Sequence, residues 1–245
     1  MYYDFEITKR EIITSISIIG FMLMIGMMLS DKISDSIKDS NEVYNKAIHI
    51  EDKDIFEYSM KTNVGNAFVY GDLVAVNPVS YDDIDGEYMY IKRIKEEYTR
   101  HERQVAYSCG KDNKSTCYRT EVYWTWDEVD REYKSTEKVT FLGIEFGFNQ
   151  FNKPSTNYVD TVKKSSHVRY KYYGTPTKLT GTIFANLKDS DIGEEVQLYN
   201  NHSTQQAYDA CIQNYVGVYG FWFIWLLLTG GLVFGFYYLE NDWLY

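Results

Sequence analysis

Charged residues are frequent along this chain except in two stretches. None lies between Glu11 and Asp31, and none between Asp209 and Glu240. The first gap, Ile12 to Ser30, reads IITSISIIGFMLMIGMMLS and is 19 residues long. As a helix rising ~1.5 Å per residue it reaches ~28 Å, close to the ~30 Å hydrocarbon core of a bilayer. The second gap contains YVGVYGFWFIWLLLTGGLVFGFYY, the 24 residues from Tyr215 to Tyr238, enough to cross with some tilt. Its aromatics gather at the ends, with Tyr215, Tyr219, Trp222 and Trp225 on one side and Phe236, Tyr237, Tyr238 and Trp243 on the other. Rings with a polar tip favour the headgroup level. The first gap is longer than the apolar core of a typical signal peptide and lacks an AxA-like cleavage site, so it reads as a retained signal-anchor.

Between the gaps the pattern changes twice. In residues 31–50, Ile33, Ile37, Val43, Ala47 and Ile48 recur close to helical spacing, which predicts an amphipathic juxtamembrane helix, here assigned to 31–57. From Asn66 the texture becomes that of strands. AFVYGDLVAV ends at Asn77-Pro78, and SYDDIDGE is a turn cluster. In the run EYMYIKRIKEEYTRHERQVAYS neither alternating face is cleanly apolar, the mark of an edge strand or of a hairpin arm reaching into solvent. YRTEVYWTWDEV is its natural antiparallel partner. EKVTFLGIEFGF, SSHVRYKYYG and KLTGTIFANL read as one strand each, and YVDTVKKS as a strand or a short helix. LKDSDIGEEVQLYNNHS reads as a loop or lid, and TQQAYDACIQN as a helix. The expected class is α+β, a membrane protein with two transmembrane helices flanking a mainly antiparallel β extracytoplasmic domain. The expected order is an N-terminus at 1–11, a transmembrane helix at 12–30, the juxtamembrane helix, a β-rich domain at 58–203, a linker helix at 204–214, a second transmembrane helix at 215–238 and a tail at 239–245.

Charge sharpens this picture. Lys9 and Arg10 precede the first span, which sets the N-terminus in the cytoplasm, and two crossings return the C-terminus to the same side. The expected location is therefore the cell membrane, with the bilayer as a partner. With 25 Lys and Arg against 35 Asp and Glu, the net charge of −10 argues against nucleic acid and against a polybasic lipid-binding surface. Cys109 and Cys117 flank GKDNKST, a turn-rich hairpin tip, and an antiparallel pair would bring them to disulfide distance. A disulfide fits an oxidising compartment. The alternative, a metal knuckle, lacks its further ligands.

No catalytic constellation is visible. His49, His101, His167 and His202 do not fall in HExxH or at zinc-ligand spacing, and the chain has no GxSxG, P-loop or strand-linked GxGxxG. Glu96-Glu97 and Asp82-Asp83 are adjacent, so on a strand each pair points to opposite faces and cannot act on one bond. His101-Glu102 reads as a solvated dipeptide. The aromatic content, 17% with 24 Tyr, is unusual. Tyr123, Trp124 and Trp126 form a candidate binding surface that would stack on a sugar or a peptide if exposed. Core packing is the favoured reading, because aromatics are common strand formers. Gly217, Gly220, Gly230, Gly231 and Gly235 punctuate the second span and are candidate helix-packing positions. Abundant Tyr, Ile, Lys and Asn suit an AT-rich genome, such as that of a low-GC bacterium or its phage.

The order of a membrane helix, a helix, Gly71-Asp-Leu-Val74, then Tyr88, Tyr90, Glu96-Glu97-Tyr98 and a return strand with Tyr123, Trp124 and Trp126 resembles the LUMA-type family of membrane proteins and its bacterial and phage relatives. More distantly it is similar to the beside-a-membrane domain of GIDE-type ubiquitin ligases. The resemblance covers residues 60–145 and implies a β-rich domain beside a membrane, with no catalytic residues. LUMA-type proteins carry several C-terminal membrane helices where this chain has room for one, and three Cys cannot build the RING of the ligases. The function expected is that of a non-catalytic, membrane-anchored interaction or scaffolding protein without a cofactor, assembling with itself or with other membrane proteins. A pore subunit built on the glycine-containing helices and an extracellular carbohydrate or peptide binder are the alternatives.

Overall fold

The structure, a computed structural model, describes residues 8–109 and 115–243, with side chains to residue 240. The hairpin tip at 110–114, the first seven residues and the Trp243 ring lie outside the described residues. The chain forms two compact units, residues 1–47 with 208–245, and residues 48–207.

The first unit is a helix pair. α1 runs from Lys9 to Asn45. Its start is a capping box: the Thr8 side chain accepts from Glu11 N, and the Glu11 carboxylate accepts from Thr8 N. α3 (Thr204–Cys211) begins in the other unit and leads to α4 (Val216–Trp243). α1 and α4 are both long and apolar enough to cross a membrane. Their outward faces are bare of protein, with Ile13 66% and Phe234 72% exposed.

Polar side chains and one glycine hold the pair. Trp225 Nε1 donates to the Met22 carbonyl at 2.9 Å, and Trp222 Nε1 to Ser30 Oγ at 3.1 Å. Ser15 and Tyr237 share a hydroxyl hydrogen bond, and the Asn41 amide both donates to and accepts from the Gln213 backbone at 2.8 Å. Gly26 gives the indole its room: a Cβ there would stand 2.5 Å from Trp225 Nε1. Gly217, Gly220, Gly230, Gly231 and Gly235 meet nothing within 4 Å. Within one chain, then, the contact rests on Gly26 and not on the glycines of the second helix.

The juxtamembrane helix expected at 31–57 is shorter and joins the first span without a break. It ends at Asn45. Ile48–Ile50 then forms strand β1, and Lys53–Lys61 forms a separate helix, α2. The stripe expected to be buried is only partly so. Ile37 and Asn41 are buried, whereas Val43 and Ile48 are exposed. Ile48 to Ile50 are drawn out of helical form by parallel pairing with Ala67 to Val69. Asp52 then caps α2, accepting from Asp54 N and Ile55 N.

The second unit is built on two sheets. One comprises β2 (Gly65–Ala75), β5 (Lys138–Phe141), β6 (Ile144–Gly147), β9 (Lys178–Leu187) and β10 (Gln197–Asn200) in the order β10-β9-β2-β5-β6, with β1 also on β2. The other comprises β3 (Tyr88–Cys109), β4 (Ser115–Ser135), β7 (Asn157–Lys163) and β8 (Val168–Pro176) in the order β4-β3-β8-β7. All pairings except β1 with β2 are antiparallel. The main core gathers Phe56 of α2 with Val69, Met89, Phe141, Phe146, Phe151, Ile183 and Leu187. EKVTFLGIEFGF, expected as one strand, is a β5–β6 hairpin. Leu142 and Gly143 both take positive φ, as a tight hairpin turn demands, but Leu-Gly is not the Asn-Gly dipeptide that announces one. The expected lid contributes β10, and it buries Ile192 and Val196 in the main core.

A smaller cluster of Tyr81, Ile91 and Tyr172 lies at the base of the second sheet. Tyr172 is fully buried and donates to Asp83 at 3.0 Å, while Lys164 pairs with the other Asp83 oxygen. The Arg93 guanidinium stacks between the Tyr81 and Tyr170 rings at 4.6 and 5.0 Å.

Two measurements check these contacts. Gly26→Leu drives a side chain into Trp225 and is expected to destabilise the helix pair by about 1–3 kcal/mol in mixed micelles, whereas Gly231→Leu leaves it unchanged. Burial, then the bond to Asp83, pushes the Tyr172 phenol from 10.0 up to about 12. The neutral phenol is the form the fold favours. Its contribution is therefore complete below pH 10 and is lost as pH rises from 10 toward about 12. Tyr172→Phe is expected to flatten that limb of a stability against pH profile.

Candidate functional site

β8 accompanies β3 only as far as Glu97, where it meets Val168. Beyond that point β3 and β4 continue alone, Tyr98 opposite Trp126 through to Cys109 opposite Ser115. The result is a two-stranded arm of 12 residues a side, ~40 Å long at ~3.3 Å per residue. This is the hairpin arm expected from the two-sided texture of the sequence. Isolated two-stranded ribbons are marginal in water, so other devices must hold this one. One is the Cys109–Cys117 disulfide next to the tip, with a Cα–Cα distance of 5.9 Å. The others are side chains paired across the strands.

On one face, Tyr98 packs against Trp124 and Trp126, with centroids 5.5 and 5.2 Å apart, and Arg169 stacks on Trp126 at 4.2 Å. On the other, His101 stacks on Tyr123 at 5.3 Å. Arg103 and Arg119 both grip Glu121 and hold its carboxyl below the usual range. The expectation that Tyr123, Trp124 and Trp126 are core residues gives way. Trp124 is 49% and Tyr123 43% exposed, and Trp126 is half-buried. The strand leaves the body of the sheet before reaching them, so no second layer covers either face.

His101 has partners that the sequence did not reveal. Its Nε2 lies within hydrogen-bond distance of Thr99 Oγ1 and of Asp127 Oδ2, and Thr99 donates to the same carboxylate oxygen. The bond from Thr99, and then that from His101, lower the Asp127 pKa. A bulge at Lys95/Glu96 helps to align these groups across the two strands. Alternation alone places Thr99 and His101 on one face, but only the register brings Asp127 to them. The cluster does not have the geometry of a nucleophilic triad. In a nucleophilic triad the imidazole joins hydroxyl and carboxylate through its two different nitrogens, and here one nitrogen meets both.

The remaining concavities are open clefts. One, of about 530 Å³, is lined by Tyr90, Tyr133, Phe148, Phe151 and Lys153 among others, with the Lys153 ammonium 5.2 Å from the Tyr133 ring. Among the described residues no group of three His, Cys, Asp or Glu is placed to hold a metal ion. Cys211, outside the disulfide, is half-buried.

Replacing Cys109 and Cys117 by Ser together is expected to loosen the arm by about 2 kcal/mol, the cost of opening a short closed loop. Amide exchange should quicken from Tyr98 to Trp126 while β2 and β9 keep their protection. Uniform quickening of all strands would contradict this account of the arm.

Comparison with protein-family models, with curated proteins and with solved structures finds no match to this chain.

Proposed function

We propose that this chain is a non-catalytic, membrane-anchored interaction or scaffolding protein. In this reading α1 and α4 cross the cell membrane, both termini are cytoplasmic and the β-rich unit is displayed outside. The observation that carries it is the β3–β4 arm, a disulfide-closed ribbon that buries no core of its own and holds Trp124 and Tyr123 half in water. Aromatic side chains kept exposed on a braced strand pair supply contact area at little entropic cost on binding. The apolar faces of α1 and α4 support the anchoring, because lipid tails cover such surfaces where water would not. The architectural resemblance to LUMA-type proteins belongs to the same proposal.

A second reading, an extracellular carbohydrate binder, draws on the Tyr98, Trp124 and Trp126 cluster, whose rings offer a stacking platform. Trp124→Ala would then abolish glycan binding without unfolding the chain.

The proposal is checked in intact cells with a membrane-impermeant thiol reagent. Cys109 and Cys117 are expected to label after mild reduction without permeabilisation. The purified full chain is expected to turn over neither cell-wall polymers nor phospholipids. Labelling that requires permeabilisation would overturn the orientation, and turnover of either substrate class would overturn the non-catalytic reading.

A further inference from the structure

β4 is the outermost strand of its sheet along its whole length, Ser115 to Ser135. Among the described residues, one edge of its backbone therefore faces no other strand. Long free edges template pairing with another strand, and proteins direct that tendency with charge. The occupant that the charges on β4 fit is β4 itself, from a second copy.

In an antiparallel pair the residues opposite each other share a face, so a symmetric β4–β4 pair must be centred on a residue. Centred on Trp124, Glu121 would oppose Asp127. Centred on Thr125, Arg119 would oppose Arg131. Both set like charges together. Centred on Trp126, Val122 would oppose Asp130 and Trp124 would oppose Glu128, facing apolar groups with carboxylates. Centred on Tyr123, no like charges are opposed between residues 115 and 131, although Tyr118 opposes Glu128. Arg119 opposes Asp127 twice, and Val122, 49% exposed, opposes Trp124 twice, so the two copies cover each other's exposed apolar side chains.

We propose that the chain self-associates by antiparallel β4–β4 pairing centred on Tyr123. This names the partner for the interaction reading on which it rests. The pairing continues the four-stranded sheet across two copies and turns the lone ribbon into a four-stranded one, which explains how an arm without a core stays ordered. Anchoring in one bilayer raises the effective concentration of the copies, so a modest interface suffices.

The test uses the full chain in bilayer nanodiscs or proteoliposomes, with Cys211→Ser to remove competing chemistry. Opposed residues of an antiparallel pair lie within disulfide reach. Tyr123→Cys is therefore expected to give a covalent dimer on air oxidation. Trp126→Cys is not, since its copies would stand ~20 Å apart at ~3.3 Å per residue. Added to the Tyr123→Cys chain, Asp127→Arg and Arg119→Asp should each lower the cross-link about tenfold, and the two together should restore it. Arg119→Asp leaves the bonds of Asp127 to Thr99 and His101 in place, so a loss of local structure at Asp127 does not account for its effect. No cross-link from Tyr123→Cys, a stronger one from Trp126→Cys, or indifference to charge reversal would overturn the pairing. A chain that is dimeric in nanodiscs but fails these tests would overturn only this interface. A chain that stays monomeric and also retains no other membrane protein through purification would overturn the interaction reading with it.

Discussion

The ladder between β3 and β4 sets the form of the β-rich unit. It pairs twenty residues of β3, Tyr90 to Cys109, with β4, while β8 lines only the first part of β3. Where β8 is present, side chains can be buried: Met89 and Ile91 are fully enclosed, and Tyr172 closes the smaller cluster. Where it stops, backbone hydrogen bonds continue without a second layer. There the arm relies on aromatic stacking, on the Arg103–Glu121–Arg119 set and on a covalent link. A ribbon that buries so little gains stability from cross-strand pairs of ~0.2–1 kcal/mol each, hence their density along this one.

Under the proposed membrane placement, the helix pair follows a different economy. Lipid offers an apolar side chain the same surroundings as a neighbouring helix does, so apolar burial cannot drive two helices together in a bilayer. Close packing and interhelical hydrogen bonds remain. The contacts of α1 with α4 and with the segment just before it are of that kind, two indole N–H donors, an Asn amide and paired hydroxyls, with Gly26 making room for an indole. Trp222 and Trp225, expected as headgroup anchors, spend their N–H groups on the partner helix.

The sequence by itself determined the two long apolar helices, because absence of charge over 19 and 24 residues is a local property. It determined most strands, which alternate locally, and the Cys109–Cys117 pair, brought together by a short hairpin. It also showed, in the mixed faces of the run from Glu87 to Ser108, a hairpin arm that reaches beyond the sheet. Only the tertiary structure decided the rest. Ile48 fits the helical stripe as well as a strand, and the choice came from β2, nearly twenty residues further on. The turn at Leu142–Gly143 has no local signature. Whether Trp124 is core or surface depended on where β8 ends, and whether His101 is solvated or paired depended on a bulge that sets which residues of β4 it meets. These are questions of partner and register, and the residues that answer them lie far along the chain from those that ask.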